Sequence, residues 1–236
     1  MTTTTNPPRE APARQRRRDL ALGAGGVAFA LLLIPVIAIP HASLDYETTK
    51  PPASHVFVTF FQQHRTVEES QALLHSLAAV ALLVFFAALA GHVRRAGNDL
   101  AARLTLAGGT GVAVIMLLTM MLVAGSISLN GGVDGQVQGW IYSLGWWEHF
   151  KCAYLLPVAL IPSCRVLRGT RVLPAALAWT GQVLGVLGAV AMVGGLSAST
   201  EFLMFPVFFL LMLWVLATGV TALTRGVDAP SPVEVA

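Results

Sequence analysis

The chain has 236 residues, 55% of them hydrophobic and 11% charged, with a formal net charge of +3. A soluble domain carries about 25% charged residues, so this composition, with a mean hydropathy of +0.69, excludes one and indicates a polytopic membrane protein. The positive balance is a topology signal, not a nucleic-acid-binding one, because the basic residues sit at the ends of apolar segments.

Residues 1–19, MTTTTNPPREAPARQRRRD, are polar, basic and Pro-containing and read as a disordered cytoplasmic tail. Six helices of spanning length are predicted over about 20–40, 67–93, 104–129, 145–164, 172–196 and 202–223. Together residues 20–224 make one all-α transmembrane domain, and 225–236 a second cytoplasmic tail. The first apolar run exceeds the roughly 7 to 15 residues of a cleaved signal, so it reads as a retained anchor.

The loop from His41 to Ser70 places Val56, Phe57, Phe60 and Phe61 at helical spacing, which predicts a short helix lying in the membrane interface. Thr66 to Glu69 then reads as a capping box that opens the second span. Asn130, Gly131, Gly132, Asp134 and Gly135 mark a turn, and Trp140, Tyr142, Trp146 and Trp147 after it fit an interfacial aromatic belt. The uncharged run of span four, Cys152 to Cys164, is too short to cross alone, so the span must draw in Glu148, His149 and Lys151. Small residues (Gly26 with Ala30, Gly109 with Ala113, Gly181 with Gly185) predict close helix packing, for which contacts within one chain are the favoured reading. Pro35, Pro157 and Pro162 predict kinks. Gln182 and Thr119 read as polar links between helices.

Twelve of the 15 Lys and Arg residues fall in the two tails and the turns after spans two and four, leaving Lys50, Arg65 and Lys151 on the other side. Basic residues resist translocation, so both termini are expected in the cytoplasm.

Ionisable side chains at membrane depth are costly and usually face a bundle interior or cavity, which makes span four the place to look for a site. Counting back from the arginine turns at 1.5 Å per residue puts His149 roughly 6 Å and His75 roughly 5 Å below the same outer surface. Gln71 and His75 share a face of span two, with Glu68 a turn further out. The candidate ligand-binding set is therefore Gln71, His75, Glu148, His149 and Lys151.

In the plainest reading Glu148 and Lys151 satisfy each other at i, i+3 and no chemistry follows. In the second, the set binds a polar head group while the apolar bundle takes its tail, which suits a transporter, sensor or accessory subunit. The third makes Glu148 and His149 an acid–base pair acting on a lipid or isoprenoid. The fourth makes His75 and His149 ligands of a metal or b-haem, although no cofactor is predicted from fixed ligand spacing. Cys152 and Cys164 lie about 18 Å apart along one helix and cannot pair with each other. Walker, G-x-S-x-G, H-E-x-x-H and C-x-x-C signatures are absent from the sequence.

The runs FFQQHR before span two, FFAALAGHVRR at its end, GTRVLP before span five and FPVFFLLMLWVLATGV in span six come in an order that resembles a group of uncharacterised six-helix membrane protein families abundant in high-GC bacteria. That resemblance implies the six-span topology and a plasma-membrane location, and carries no activity or site residue with it. The expected partners are the bilayer, a lipid-like or small-molecule ligand, and another membrane protein or a second copy of the chain.

Overall fold

The computed structural model describes residues 12–38, 54–129, 134–170, 173–194 and 204–225. The turn at Asn130 to Val133, His41, most of both tails and the side chains of His55, Val56, Phe57, Phe61, Trp146 and Trp147 lie outside the described residues. Among the described residues all regular structure is helical: α1 (Pro12–Ala38), α2 (Ser54–Arg95), α3 (Asp99–Ser128), α4 (Gly135–His149), a 3₁₀ segment (Phe150–Leu155), α5 (Leu156–Thr170), α6 (Ala175–Gly194) and α7 (Met204–Arg225). α4, the 3₁₀ segment and α5 form one interrupted span, so six spans are long and apolar enough to cross a membrane.

Each span packs antiparallel on the next, and α7 returns to α1 to close a ring. Lipid is as apolar as leucine, so these contacts are held by close packing rather than by expulsion of water. Glycines set the distances. A Cβ on Gly25 would lie 2.9 Å from the backbone nitrogen of Phe85 on α2, and one on Gly26 would lie 2.7 Å from the carbonyl of Val215 on α7. Adjacent glycines thus let α1 touch both neighbours. Gly108 does the same between α3 and the backbone of Ala159 on α5, and Gly109 seats α3 against the ring of Phe86. Gly181 and Gly185 of α6 meet Cys164 and Ile161 of α5, so this pair packs helices within the chain.

The ring is filled by Phe29, Leu82, Phe85, Phe86, Met116 and their neighbours. Phe85 meets Phe86 and Trp214 edge-on at 5.4 and 5.9 Å between centroids, a favoured arrangement of ring quadrupoles. Leu73, Leu77, Val80 and Val84 recur at helical spacing on the exposed face of α2, where a bilayer would lie.

Several helix ends differ from the sequence reading. α1 begins at Pro12, so part of the expected tail is helical. α2 is continuous from Ser54, and Thr66 sits in mid-helix, where its carbonyl accepts from the Ser70 hydroxyl at 2.6 Å and Glu69 pairs with Arg65 at 2.7 Å. No capping box forms there because no helix starts there. α4 begins ten residues before the expected start, capped by Asp134, whose carboxylate accepts from the backbone N–H of Gln136. Span four is therefore long, not short. The extensions of α2 and α4 share a small core with the last turns of α3, with Phe60, Met120, Val123, Ile127 and Tyr142 in contact.

Pro157 explains the interruption. It has no N–H to donate to the carbonyl of Ala153 and its ring crowds that oxygen. The turn tightens to 3₁₀, and Leu156 donates to Ala153 instead. Gly188 of α6 crosses here, where a Cβ would lie 2.9 Å from the same carbonyl.

Candidate functional site

Two stripes of polar residues face each other at the end of the bundle opposite the arginine clusters. On α2 the stripe is Glu68, Gln71 and His75, spaced by three and four residues and therefore on one side of the helix. On α4 it is Gln138, Tyr142 and His149, with Gly145 between the last two. A Cβ at Gly145 would meet the Thr119 carbonyl of α3 at 2.7 Å, so this glycine lets α4 lie close to α3.

Contacts zip the stripes together. The Tyr142 hydroxyl donates to Glu68 Oε2 at 2.6 Å, and both residues are buried. Tyr142 is thus part of the seam and not of an aromatic belt, whereas Trp140, 63% exposed, fits that role. Gln138 donates through Nε2 to the Ser126 carbonyl of α3 at 2.6 Å. Deeper in the bundle the imidazoles of His75 and His149 meet edge-to-face, their centroids 4.7 Å apart. His75 Nδ1 lies 3.2 Å from the Gln71 carbonyl, an acceptor to which it can only donate.

Gln71 and His149 are 0% exposed. Both polar atoms of the Gln71 amide and both ring nitrogens of His149 are buried with no hydrogen-bond partner among the described residues. A buried polar group left unpaired costs about 1–3 kcal/mol, and the great majority in folded proteins are satisfied. Four such atoms on two neighbouring stripes make this the least satisfied part of the described core. On its other sides His149 meets the rings of Phe150 and Phe208 at 5.2 and 5.1 Å. Phe205 lies over Phe150 at 4.0 Å.

The five residues singled out from sequence thus separate. Gln71, His75 and His149 come together; Glu148 and Lys151 bond to each other at the edge, partly exposed. On a helix these two lie at i, i+3, about 60° apart, while His149 is turned about 100° from Glu148 and points inward. His75 and His149 bring two imidazoles, a common metal-ligand type, into edge-to-face contact. Among the described residues no group of three or more His, Cys, Asp or Glu is placed to hold a metal ion, so Gln71 or ligands from outside the chain would complete the sphere.

Sequence reasoning missed Tyr142 and Gln138 as partners of the seam, though their i, i+4 spacing ahead of Gly145 and His149 was a usable signal. It also missed a second buried polar cluster at the arginine-rich end. There His92, 3% exposed, contacts Asp19 Oδ1 at 3.2 Å through Nε2 and Arg95 at 2.6 Å through Nδ1, tying α1 to the end of α2. Gln182 accepts a long bond from Arg168 at 3.5 Å, linking α6 to α5. Thr119 bonds back to carbonyls of its own helix, the usual resort of a hydroxyl with no polar neighbour. Cys152 and Cys164 are buried free thiols.

No protein-family model matches the chain, and neither a curated protein nor a solved structure matches it.

Proposed function

We propose that this chain is a multi-pass protein of the bacterial cytoplasmic membrane that binds a small or lipid-like molecule in the α2–α4 seam, in a transport, sensing or accessory role and without catalysis. The observation that carries the reading is the set of four unpaired buried polar atoms on Gln71 and His149, beside His75. Polar groups inside a membrane bundle are retained where they do something, and a ligand offering both a donor and an acceptor would satisfy them. Catalysis by Glu148 and His149 has less support, because Glu148 is occupied by Lys151.

Native mass spectrometry of gently purified protein tests the reading. A co-purifying mass present in the parent and in Glu148→Gln, and lost from Gln71→Leu, is the expected result. A protein whose bound mass is indifferent to Gln71 would place the ligand elsewhere and sink the assignment.

Both termini are proposed to be cytoplasmic, with the seam at the outer end. Arg18, Arg94, Arg95, Arg103, Arg165 and Arg168 all belong to one end of the ring, and basic residues stay on the cytoplasmic side. Reporter fusions at the two ends should both give a cytoplasmic signal; a periplasmic signal from either would overturn this orientation.

A further inference from the structure

On the reading of the seam as a binding site, its chemistry narrows the ligand. The unpaired groups of Gln71 and His149 are an amide and an imidazole, which recognise an uncharged partner by hydrogen bonds in both directions. The cations at this end of the described spans are committed, Lys151 to Glu148 and Arg65 to Glu69. A phosphate head group would have to lie near the buried carboxyl of Glu68. Every described arginine beyond Arg65 belongs to the opposite end of the ring.

The other wall of the site is aromatic. Phe150 and Phe208 present themselves to the ring of His149, and Phe205 lies over Phe150, so a flat ring entering beside His149 finds ring faces and edges to pack on. The depth also fits an amphiphile. His149 lies 16 residues from Arg165, six of them in 3₁₀ geometry, which gives about 27 Å at 1.5 and 2.0 Å per residue. That is close to one hydrocarbon boundary of a bilayer about 30 Å thick.

We propose that the seam binds the head group of a membrane quinone, in its quinone or quinol form. The carbonyl oxygens of a quinone would accept from the Gln71 amide and the His149 N–H, and the hydroxyls of a quinol would donate to Gln71 Oε1 and the bare nitrogen of His149. An amide and a neutral imidazole serve both forms because each is at once donor and acceptor.

The test is equilibrium binding to the full chain in phosphatidylcholine nanodiscs, with short-tailed ubiquinone, short-tailed menaquinone and dioleoyl phosphatidylglycerol as probes. The expected result is saturable binding of a quinone that weakens at least tenfold in both Gln71→Leu and His149→Leu and changes less than twofold in Glu148→Gln. Thermal unfolding of each variant shows that it is folded. Quinone binding equal in the parent and the two leucine variants overturns the proposal. Binding of phosphatidylglycerol that depends on Gln71 and His149 overturns the quinone class and leaves the seam as a binding site. If none of the three probes binds, the quinone proposal falls; the seam falls with it only if the native mass spectra show no mass that depends on Gln71.

Discussion

Gly108→Val is expected to lower stability by about 3 kcal/mol, the upper part of the usual range for overpacking a core. A Cβ at this position would lie 2.6 Å from the backbone nitrogen of Ala159 and 3.0 Å from its Cα. A flexible side chain could turn aside, but backbone cannot, so α3 and α5 must separate and lose the packing that holds them in lipid. Gly125→Ala is the control on the same helix. A Cβ there meets nothing within 4 Å, so the exchange should be neutral or raise stability by up to about 1 kcal/mol through helix propensity. Thermal unfolding in detergent, followed by circular dichroism, reads both. A Gly108→Val protein that melts with the parent would mean that these two helices do not cross where described.

His149→Leu should have the opposite effect on stability while abolishing ligand binding. Each unpaired buried ring nitrogen costs about 1–3 kcal/mol, and leucine, close to histidine in volume, removes both. Against this stands the loss of edge-to-face contacts with His75, Phe150 and Phe208, each worth about 0.5–1.5 kcal/mol and in part replaced by leucine's own contacts. The desolvation effect is the larger, so the ligand-free variant should gain about 1–2 kcal/mol. Function and stability would then pull apart at one residue, as they do at sites kept unsatisfied for a ligand. If His149→Leu melts several degrees below the parent, the imidazole is a structural member and the case for a binding seam is lost.

The six spans were legible because hydropathy measures what a bilayer measures. For the same reason it misplaced the starts of α2 and α4. QQHRTVEES reads as loop on a hydropathy scale, yet it is made largely of good helix formers, and α2 runs through it unbroken. Apolar content locates the lipid boundary; it does not locate the end of a helix that continues past it. The seam was legible in depth, since counting from the arginine turns put His75 and His149 at one level. Azimuth could not be counted. That left Glu148 and Lys151 grouped with His149, although one step along a helix turns a side chain through about 100° and carries them to the edge. Tyr142 looked like a belt residue because an aromatic near a boundary usually is one; only the facing carboxyl of Glu68, 74 positions away, reassigns it.

The 3₁₀ segment has one more effect. A 3₁₀ turn advances about 120° per residue where an α-turn advances about 100°, so six such residues shift the phase of everything downstream by about 120° and lengthen the span by about 3 Å. α4 and α5 are therefore two differently indexed surfaces on one rod. The α4 face turns Tyr142 and His149 to α2, while the α5 face turns Ala159 to α3 and Ile161 and Cys164 to α6. A straight helix would carry only one of those alignments at a time. Pro157 thus works as a coupling between two registers, and the polar seam and the glycine-lined bundle can each keep its own without compromise.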